Sequence, residues 1–337
     1  MIFFYNFASS NLKYITPMKK LVKIAFVMLG AIALAFVTAC NKENENGNGN
    51  NNGGNNGGGG GQSHYTIDKK IQSAYYSYSY NSETSGRYKV SDWTWRSDGL
   101  LDYVDAYEGE ESNSVLLRLN FSYDNNNHVN RVDCFQYNMY LTYTYGNDGL
   151  LNMMDLYYKD YETGNTINVA NCAATYRDGY LNMLNVTVYD TDFYYKKACK
   201  YMNPFSMLFP GQITQSMSKF EERLAQNRNG NETIFFTIQL TWNEGNITNI
   251  YGSGMGESIN ITLQYDNTNS FIYGFLLGQY NSVSLVKNNP TRVNISEGSH
   301  TDTALVNYAC DNSNYPTTIT LCDASYQNER LMVYIEY

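Results

Sequence analysis

Histidine is scarce in this chain, which has only three in 337 residues, far apart at His64, His128 and His300. None of them has a cysteine or an acidic residue at the spacing of a helical metal site. The sequence also lacks the G-x-S-x-G, Walker and dinucleotide-binding fingerprints. These shortages predict no catalytic residue, no metal and no cofactor, and they favour a protein that is not an enzyme.

Cysteine is also sparse, and the six cysteines include no C-x-x-C pair. Neither a zinc module nor a thioredoxin-type site is therefore indicated. Five cysteines follow Cys40, and an odd number cannot pair completely. Two alternatives remain for Cys310 and Cys322, which flank a turn-rich segment: a disulfide across one hairpin, or two small unpaired residues.

No apolar run is long enough to span a membrane as a helix. The longest candidate, from Ile24 to Val37, falls short of the roughly 18 residues required. It follows the basic stretch 18–23, as the apolar region of a secretion signal does. Residues 37–40 then resemble a bacterial lipobox, in which small residues precede a diacylated cysteine. We therefore predict that Cys40 is lipidated and anchors the protein in a membrane through two acyl chains.

The segment after Cys40 bears on cellular address and reach. Residues 41–45 resemble the export signal that sends lipoproteins of the Bacteroidota to the outer surface, and they also fit a simple solvated start to a tether. Residues 46–61 are almost entirely Asn and Gly, which cannot bury apolar surface and predict a flexible tether of roughly 25 Å. The predicted organisation is a mis-assigned upstream start (1–17), a signal peptide (18–39), the lipidated cysteine with its tether (40–64) and a single β-rich domain (65–337).

Basic residues are too few for a partner with a phosphate backbone. Four of the 23 basic residues and none of the 32 acidic residues precede Cys40. The mature chain therefore has 19 basic and 32 acidic residues, a net charge of −13. Such a charge repels nucleic acid and anionic lipid head groups, so we exclude nucleic acid as a partner.

What the chain has in abundance is a β-hairpin pattern, clearest from Leu141 to Met154. Leu141, Tyr143 and Tyr145 alternate with threonines, as in a half-buried strand, and Asn147 to Gly149 supplies the turn. Similar stretches place an aromatic residue two or three positions before an acidic-Gly or Asn-rich turn. They begin at Trp95, Tyr123, Tyr176, Trp242 and Tyr265.

These stretches predict an all-β fold: an extended, curved antiparallel meander sheet of repeated hairpins. Ile71 to Tyr80 reads as the first strand. Ile213, Met217, Phe220 and Leu224 have helical spacing, so we predict one amphipathic helix within 212–226, inserted mid-chain. Further strands are predicted at 233–241, 258–265, 271–280, 291–295 and 331–337.

The aromatic, Asp or Asn, Gly and aliphatic order of these hairpins resembles the YD-type repeats of bacterial surface proteins. Together with the lipoprotein signal, residues 70–337 resemble an uncharacterised family of Bacteroidota lipoproteins built on a domain of unknown function. The resemblance implies an outer-membrane lipoprotein that faces the cell exterior, and it implies no established activity.

The sequence favours a non-catalytic binding or scaffolding module whose partner is a glycan or another surface protein. The chain has 33 tyrosines, which either pair across strands or form a surface for stacking flat ligands. Trp93, Trp95 and Trp242 are the candidate ligand-binding residues, although two of them occupy the aromatic position of the hairpins. The alternatives are a secreted glycan-processing enzyme and a carrier of lipid or another apolar molecule.

Overall fold

The described part of the chain is entirely β apart from one short turn of 3-10 helix, which confirms the all-β class. The computed structural model describes residues 69–109, 112–189, 233–254, 256–270 and 288–337. The strands are β1 (Ser73–Tyr80), β2 (Glu83–Thr84), β3 (Tyr88–Trp95), β4 (Leu101–Gly109), β5 (Ser112–Tyr123), β6 (Val129–Cys134), β7 (Met139–Tyr145), β8 (Leu151–Lys159), β9 (Thr166–Arg177), β10 (Tyr180–Val188), β11 (Ile234–Asn243), β12 (Asn246–Gly254), β13 (Glu257–Tyr265), β14 (Pro290–Glu297), β15 (His300–Cys310), β16 (Pro316–Asp323) and β17 (Tyr326–Glu336). The 3-10 turn is Phe135–Tyr137.

The prediction of an open, curved meander is wrong, because the sheet closes on itself. Strands β3 to β17 each pair antiparallel with the next along the chain. β1 then pairs with β17 on one side, from Ser73 with Glu336 to Tyr80 with Glu329, and with β3 on the other. The short β2 pairs with β1, so the remaining sixteen strands form a closed antiparallel barrel.

Most apolar side chains of the strands point into the barrel, and most polar ones point out. In β13, Ile259, Ile261 and Leu263 are buried, whereas Asn260 and Thr262 between them are partly exposed. Every strand of the ring contributes buried residues to one apolar cluster. At about 25 cal/mol per Å² of apolar surface removed from water, this shared inner face is the main stabilising contribution to the fold.

The predicted hairpin from Leu141 to Met154 is confirmed as the β7–β8 pair. Tyr145 lies opposite Leu151, and Gly149 has the positive φ of 77° that the turn requires. In the turn after Tyr123, Asn127 takes the left-handed position with φ of 64°. Asparagine tolerates this conformation better than most residues, which explains why the turn forms without glycine.

Four of the other predicted strands are found in the structure. The strands predicted at 233–241, 258–265, 291–295 and 331–337 correspond to β11, β13, β14 and the end of β17. The predicted helix at 212–226, the predicted strand at 271–280, the signal peptide, Cys40 and the tether all lie outside the described residues. No helix in the described part of the chain is long and apolar enough to cross a membrane.

The disulfide alternative for Cys310 and Cys322 does not fit the register of β15 and β16. Cys310 lies opposite Pro316, whereas Cys322 lies opposite Leu305. Five residues of β15 separate those positions, which amounts to roughly 17 Å along a strand. Both thiols are free, as are Cys134 and Cys172.

Candidate ligand-binding face

Aromatic residues at one end of the barrel are held by hydrogen bonds to the backbone. We call this the turn end, because it has the short turns that follow β3, β5, β7, β9, β11 and β15. Here the side-chain N–H or O–H of an aromatic residue near the end of one strand donates a hydrogen bond to a backbone carbonyl near the start of the preceding strand of the ring. These hydrogen bonds are 2.6 to 2.8 Å long. The pairs are Trp95 with Ile71, Tyr123 with Leu101, Tyr145 with Val129, Trp242 with Leu181, Tyr265 with Ile247, Tyr308 with Pro290 and Tyr337 with Pro316.

At the opposite end of the barrel, which we call the rim end, large apolar side chains are exposed. Phe135 is 66% exposed and Tyr161 is 78% exposed, both in connections between strands. The other exposed members within the described ranges are Tyr80, Val115, Tyr189, Phe235, Tyr251 and Tyr326, all in the halves of their strands or connections nearer the rim end. Aromatic side chains available to a ligand are therefore found towards the rim end and on the outer face, and not at the turn end.

A row of partly exposed side chains crosses the outer face from β4 to β9. Register places Tyr103 opposite Asn120, Asn120 opposite Asp133, and Asp133 opposite Tyr140. Tyr140 lies opposite Tyr157, and Tyr157 lies opposite Asn168. We call these six residues the tyrosine row. Because they come from successive strands, their side chains stand side by side on one surface.

The central feature of the tyrosine row is a three-layer stack. The rings of Tyr140 and Tyr157 are parallel to within 21°, with centroids 5.1 Å apart. The guanidinium of Arg131 lies 3.7 Å from the Tyr140 centroid, on the ring's other side. Arg131 is itself held by Asp133, to which Nε donates at 2.9 Å and Nη2 at 2.7 Å. The stack is therefore rigid and its cation is already paired.

The ring of Tyr157 lies between Tyr140 and β9, so its second face is directed towards Asn168. Burial, and then the neighbouring Asp155 carboxylate, raise the pKa of Tyr157. Its phenol therefore stays protonated at neutral pH and can donate a hydrogen bond. Asn168 Nδ2 donates to Asp155 Oδ1 at 3.4 Å. Among the described residues, the Oδ1 of Asn168 is buried and accepts no hydrogen bond, so a ligand on the outer face does not reach this atom.

The other end of the tyrosine row has the same three-group arrangement. Arg118 lies 3.8 Å from the Tyr103 ring centroid and donates to both carboxylate oxygens of Asp105, at 2.6 and 2.7 Å. Arg118 and Arg131 are thus each paired with an aspartate and stacked on a tyrosine. The arrangement offers aromatic surface without an unpaired positive charge.

The three tryptophans predicted to bind a ligand are packed against the protein itself. Trp93 is 4% exposed, and its indole N–H donates to Ser91 at 3.0 Å. Trp95 and Trp242 donate to the backbone at the turn end, and Trp242 also contacts the Tyr180 ring at 5.1 Å. None of the three lies in the tyrosine row, and no ligand contact tests their predicted role.

The residues of the tyrosine row were missed because strand pattern alone does not separate one outward tyrosine from another. A usable signal was present: Arg131 and Asp133 occupy alternate positions of β6, so they share the outer face. His128 is buried, with its ring 4.8 Å from the Tyr145 ring and Nδ1 3.2 Å from the Asp124 carboxylate.

Comparison with known proteins adds two structures. The sequence matches no protein family model and no curated protein. The barrel is similar to a porin-like protein from Bacteroides uniformis, with 11% identity, a TM-score of 0.46, and coverage of 79% of this chain and 97% of that one. A porin-like protein from Bacteroides vulgatus gives 10% identity, a TM-score of 0.46, and coverage of 80% and 99%. Membership of the Bacteroidota lipoprotein family stays a prediction.

Proposed function

We propose that this protein is a non-catalytic glycan-binding module, held at the outer membrane by a lipidated Cys40 and facing the cell exterior. The observation that supports this best is the stack of Arg131, Tyr140 and Tyr157 on the outer face. Sugar rings have apolar C–H faces that pack on tyrosine, while their hydroxyls need hydrogen-bonding partners at the ring edge. The ring and hydroxyl of Tyr157 and the neighbouring Asp155 carboxylate provide both kinds of contact within one small area.

Preorganisation favours binding at this stack. Tyr140 is fixed between Tyr157 and a guanidinium that both oxygens of Asp133 hold in place. A ligand that packs on Tyr157 therefore does not have to order a loose aromatic side chain, which costs about 0.5–1.5 kcal/mol for a rotamer-rich group. Rigid aromatic surface of this kind is a common feature of binding sites.

Charge favours a neutral ligand. The mature chain has a net charge of −13, and the two arginines nearest the tyrosine row are each paired with an aspartate. Strongly acidic polymers would meet repulsion from this net charge, and both arginines are already paired, so neutral polysaccharides are the better partners.

Glycan binding is tested with the detergent-solubilised protein on a glycan array, comparing wild type with Tyr157→Ala. Tyr251→Ala is the matched control, because Tyr251 is an exposed outward tyrosine on β12, away from the tyrosine row. We expect wild type and Tyr251→Ala to bind neutral glycans and Tyr157→Ala to lose most of that binding, with unchanged melting temperatures. Absence of binding by folded wild type would favour a surface-protein partner instead.

Two further results would replace this proposal. Turnover of a polysaccharide that a single Asp or Glu substitution abolishes would establish the glycan-processing enzyme. Lipid that co-purifies in stoichiometric amount would establish the carrier.

Lipidation is tested separately with Cys40→Ala. We expect the wild-type mature protein to have lost residues 1–39 and gained acyl mass, and the variant to leave the membrane fraction. A Cys40→Ala protein that stays with the membrane would place the attachment elsewhere.

A further inference from the structure

We propose that the glycan held at Tyr157 extends from there across β9 and β10 to Phe235 on β11, and that Tyr189 is a second ring contact along its path. This inference rests on the proposed glycan-binding function. It adds the direction in which the ligand runs and two further contact residues, and it places the rest of the ligand outside the stack of Arg131, Tyr140 and Tyr157.

The open face of Tyr157 sets the direction. Its other face is covered by the Tyr140 ring, whose centroid is 5.1 Å away, so a ligand can pack only on the face turned towards β9. On the β4 side, the rings of Tyr103 and Tyr140 are each covered by a guanidinium group. A glycan that packs on Tyr157 therefore continues over β9.

Tyr189 lies across β9 from Tyr157. Register places Tyr157 beside Asn168 on β9. From the β10 side, the backbone N–H of Tyr189 donates to the carbonyl of the next residue, Val169, at 2.8 Å. The two tyrosines are thus two strand spacings apart, roughly 10 Å. Asn171 Nδ2 donates to the Tyr189 hydroxyl at 2.6 Å, which holds that side chain in place. Tyr189 is 46% exposed, so its ring and its hydroxyl hydrogen are open to a ligand.

A line of hydrogen-bonding groups leads from β8 to Phe235. Asp155 on β8 lies opposite Asn171 on β9. Asn171 lies opposite Thr187 on β10, which in turn lies opposite Phe235. The residues on either side of these positions along the strands are buried inside the barrel, so the line faces outward. Phe235 is 63% exposed, and the two tyrosines flank the line on its rim side. Polar groups beside aromatic rings match the hydroxyl edge and the apolar face of a sugar.

The surface beyond β8 suits a neutral ligand. Strands β9, β10, β11 and β12 contain a single charged residue, Arg177 at the turn end. The surface from β4 to β7, in contrast, has the two arginine–aspartate pairs. Covering amides and hydroxyls with a sugar costs less than desolvating ion pairs, because sugar hydroxyls can replace the lost water contacts. A neutral glycan therefore gains more by running towards β11 than by running towards β4.

The length of this surface sets the size of ligand that can use all of it. Tyr157 and Phe235 are three strand spacings apart, about 14 Å. A disaccharide can contact Tyr157 and Tyr189 over β9 and falls short of Phe235. A longer oligosaccharide contacts all three rings, so its affinity should be higher.

The test is calorimetric titration of the detergent-solubilised protein with malto-, cello-, laminari- and xylo-oligosaccharides, from the disaccharide to the hexasaccharide. In the series that binds, we expect Tyr189→Ala to weaken binding of the disaccharide and of the hexasaccharide about ten-fold each. Phe235→Ala should weaken the hexasaccharide by a similar factor and leave the disaccharide unchanged. Tyr157→Ala should weaken both.

Three further variants are the controls, and unchanged melting temperatures show that each variant is folded. Phe235→Tyr keeps an aromatic ring and should keep the wild-type affinity for the hexasaccharide. Tyr326→Ala removes a ring of similar exposure, 49%, on β17, and should behave as wild type. Tyr103→Ala removes a ring on the β4 side of the stack and should also leave binding unchanged.

The outcomes separate this inference from the function on which it rests. If Tyr157→Ala weakens binding but Phe235→Ala leaves the hexasaccharide unaffected, the glycan-binding function stands and the path to β11 is wrong. A loss of hexasaccharide affinity in Tyr103→Ala, with none in Phe235→Ala, would direct the ligand towards β4 instead. If no series binds to folded wild type, or if Tyr157→Ala binds as wild type does, both proposals fail.

Discussion

The two ends of the barrel use the same residue type in opposite ways. At the turn end, Tyr265 and Tyr308 are partly buried and pack against the core, and their hydroxyls donate to backbone carbonyls at 2.6 and 2.7 Å. At the rim end, Tyr161 and Tyr326 are exposed. A tyrosine in this protein is therefore structural or available to a ligand according to its position along the barrel, and its neighbours in sequence matter less.

The physical reason lies in the carbonyls at the strand starts. The accepting carbonyls belong to residues within two positions of a strand start, next to the turns. A ring from the neighbouring strand covers that carbonyl and donates to it, so burial of the ring and satisfaction of a buried acceptor occur together. At the rim end the exposed rings, such as those of Tyr161 and Tyr326, stay in contact with water.

The largest expected contrast comes from truncating one tyrosine of each kind in adjacent strands. Tyr265→Ala on β13 removes a partly buried ring that packs against the core and its bond to Ile247, and we expect a loss of about 3 kcal/mol in the free energy of unfolding. Tyr251→Ala on β12 removes a 39% exposed ring and should change stability by less than about 0.5 kcal/mol. Denaturant unfolding measures both, and equal losses would show that the two ends do not differ.

A smaller contrast comes from removing only a hydroxyl. Tyr308→Phe keeps the ring but leaves the Pro290 carbonyl without its donor, which should cost about 1–3 kcal/mol. Tyr161→Phe, at a ring that is 78% exposed, is the matched change at the rim end and should be close to neutral. A neutral Tyr308→Phe would mean that these hydroxyls add little to ring burial.

The smallest effect concerns a carboxyl pair on the rim side. Burial, and then the Asp323 carboxylate, raise the pKa of Glu329. An acid whose pKa is raised by folding contributes stability below its unfolded pKa, and that contribution is lost as pH rises through its folded pKa. Glu329→Gln should therefore slightly raise the melting temperature at about pH 8, and the gain should vanish near pH 4.

Glu83→Gln is the control for this pH dependence, because Glu83 is exposed on β2. Thermal melts across the pH range should show no gain for it. A Glu329→Gln gain that persists at low pH would assign the effect to packing and not to charge.

Sequence reasoning located the hairpins because their signals are local. Alternation from Leu141 to Tyr145 and the turn at Asn147 to Gly149 lie within one short stretch, and the structure has that hairpin. Closure of the barrel depends instead on Ser73 lying opposite Glu336, a pairing between distant ends of the chain. Nothing in either strand distinguishes a partner in a ring from the edge of an open sheet.

The candidate site was harder to predict than the hairpins for a related reason. Tryptophan is the larger and rarer ring, so Trp93, Trp95 and Trp242 drew attention as ligand contacts, yet all three donate their N–H within the protein. The stack of Tyr140 and Tyr157 arises only when β7 and β8 pair in register. That pairing is visible in the hairpin, but which face of it meets solvent depends on the closed barrel.

Closure by the first and last strands also sets the order in which the protein can assemble. Each neighbouring pair from β3 to β17 can form as the chain emerges, but one edge of β1 has no partner until β17 is complete. That edge displays unpaired backbone N–H and C=O groups, which are a template for association with other chains. Contacts between distant segments also form slowly, because the intervening chain must first lose its entropy. Pairing of β1 with β17 therefore covers the last unpaired strand edge. A chain that ended before β17 would keep two unpaired strand edges.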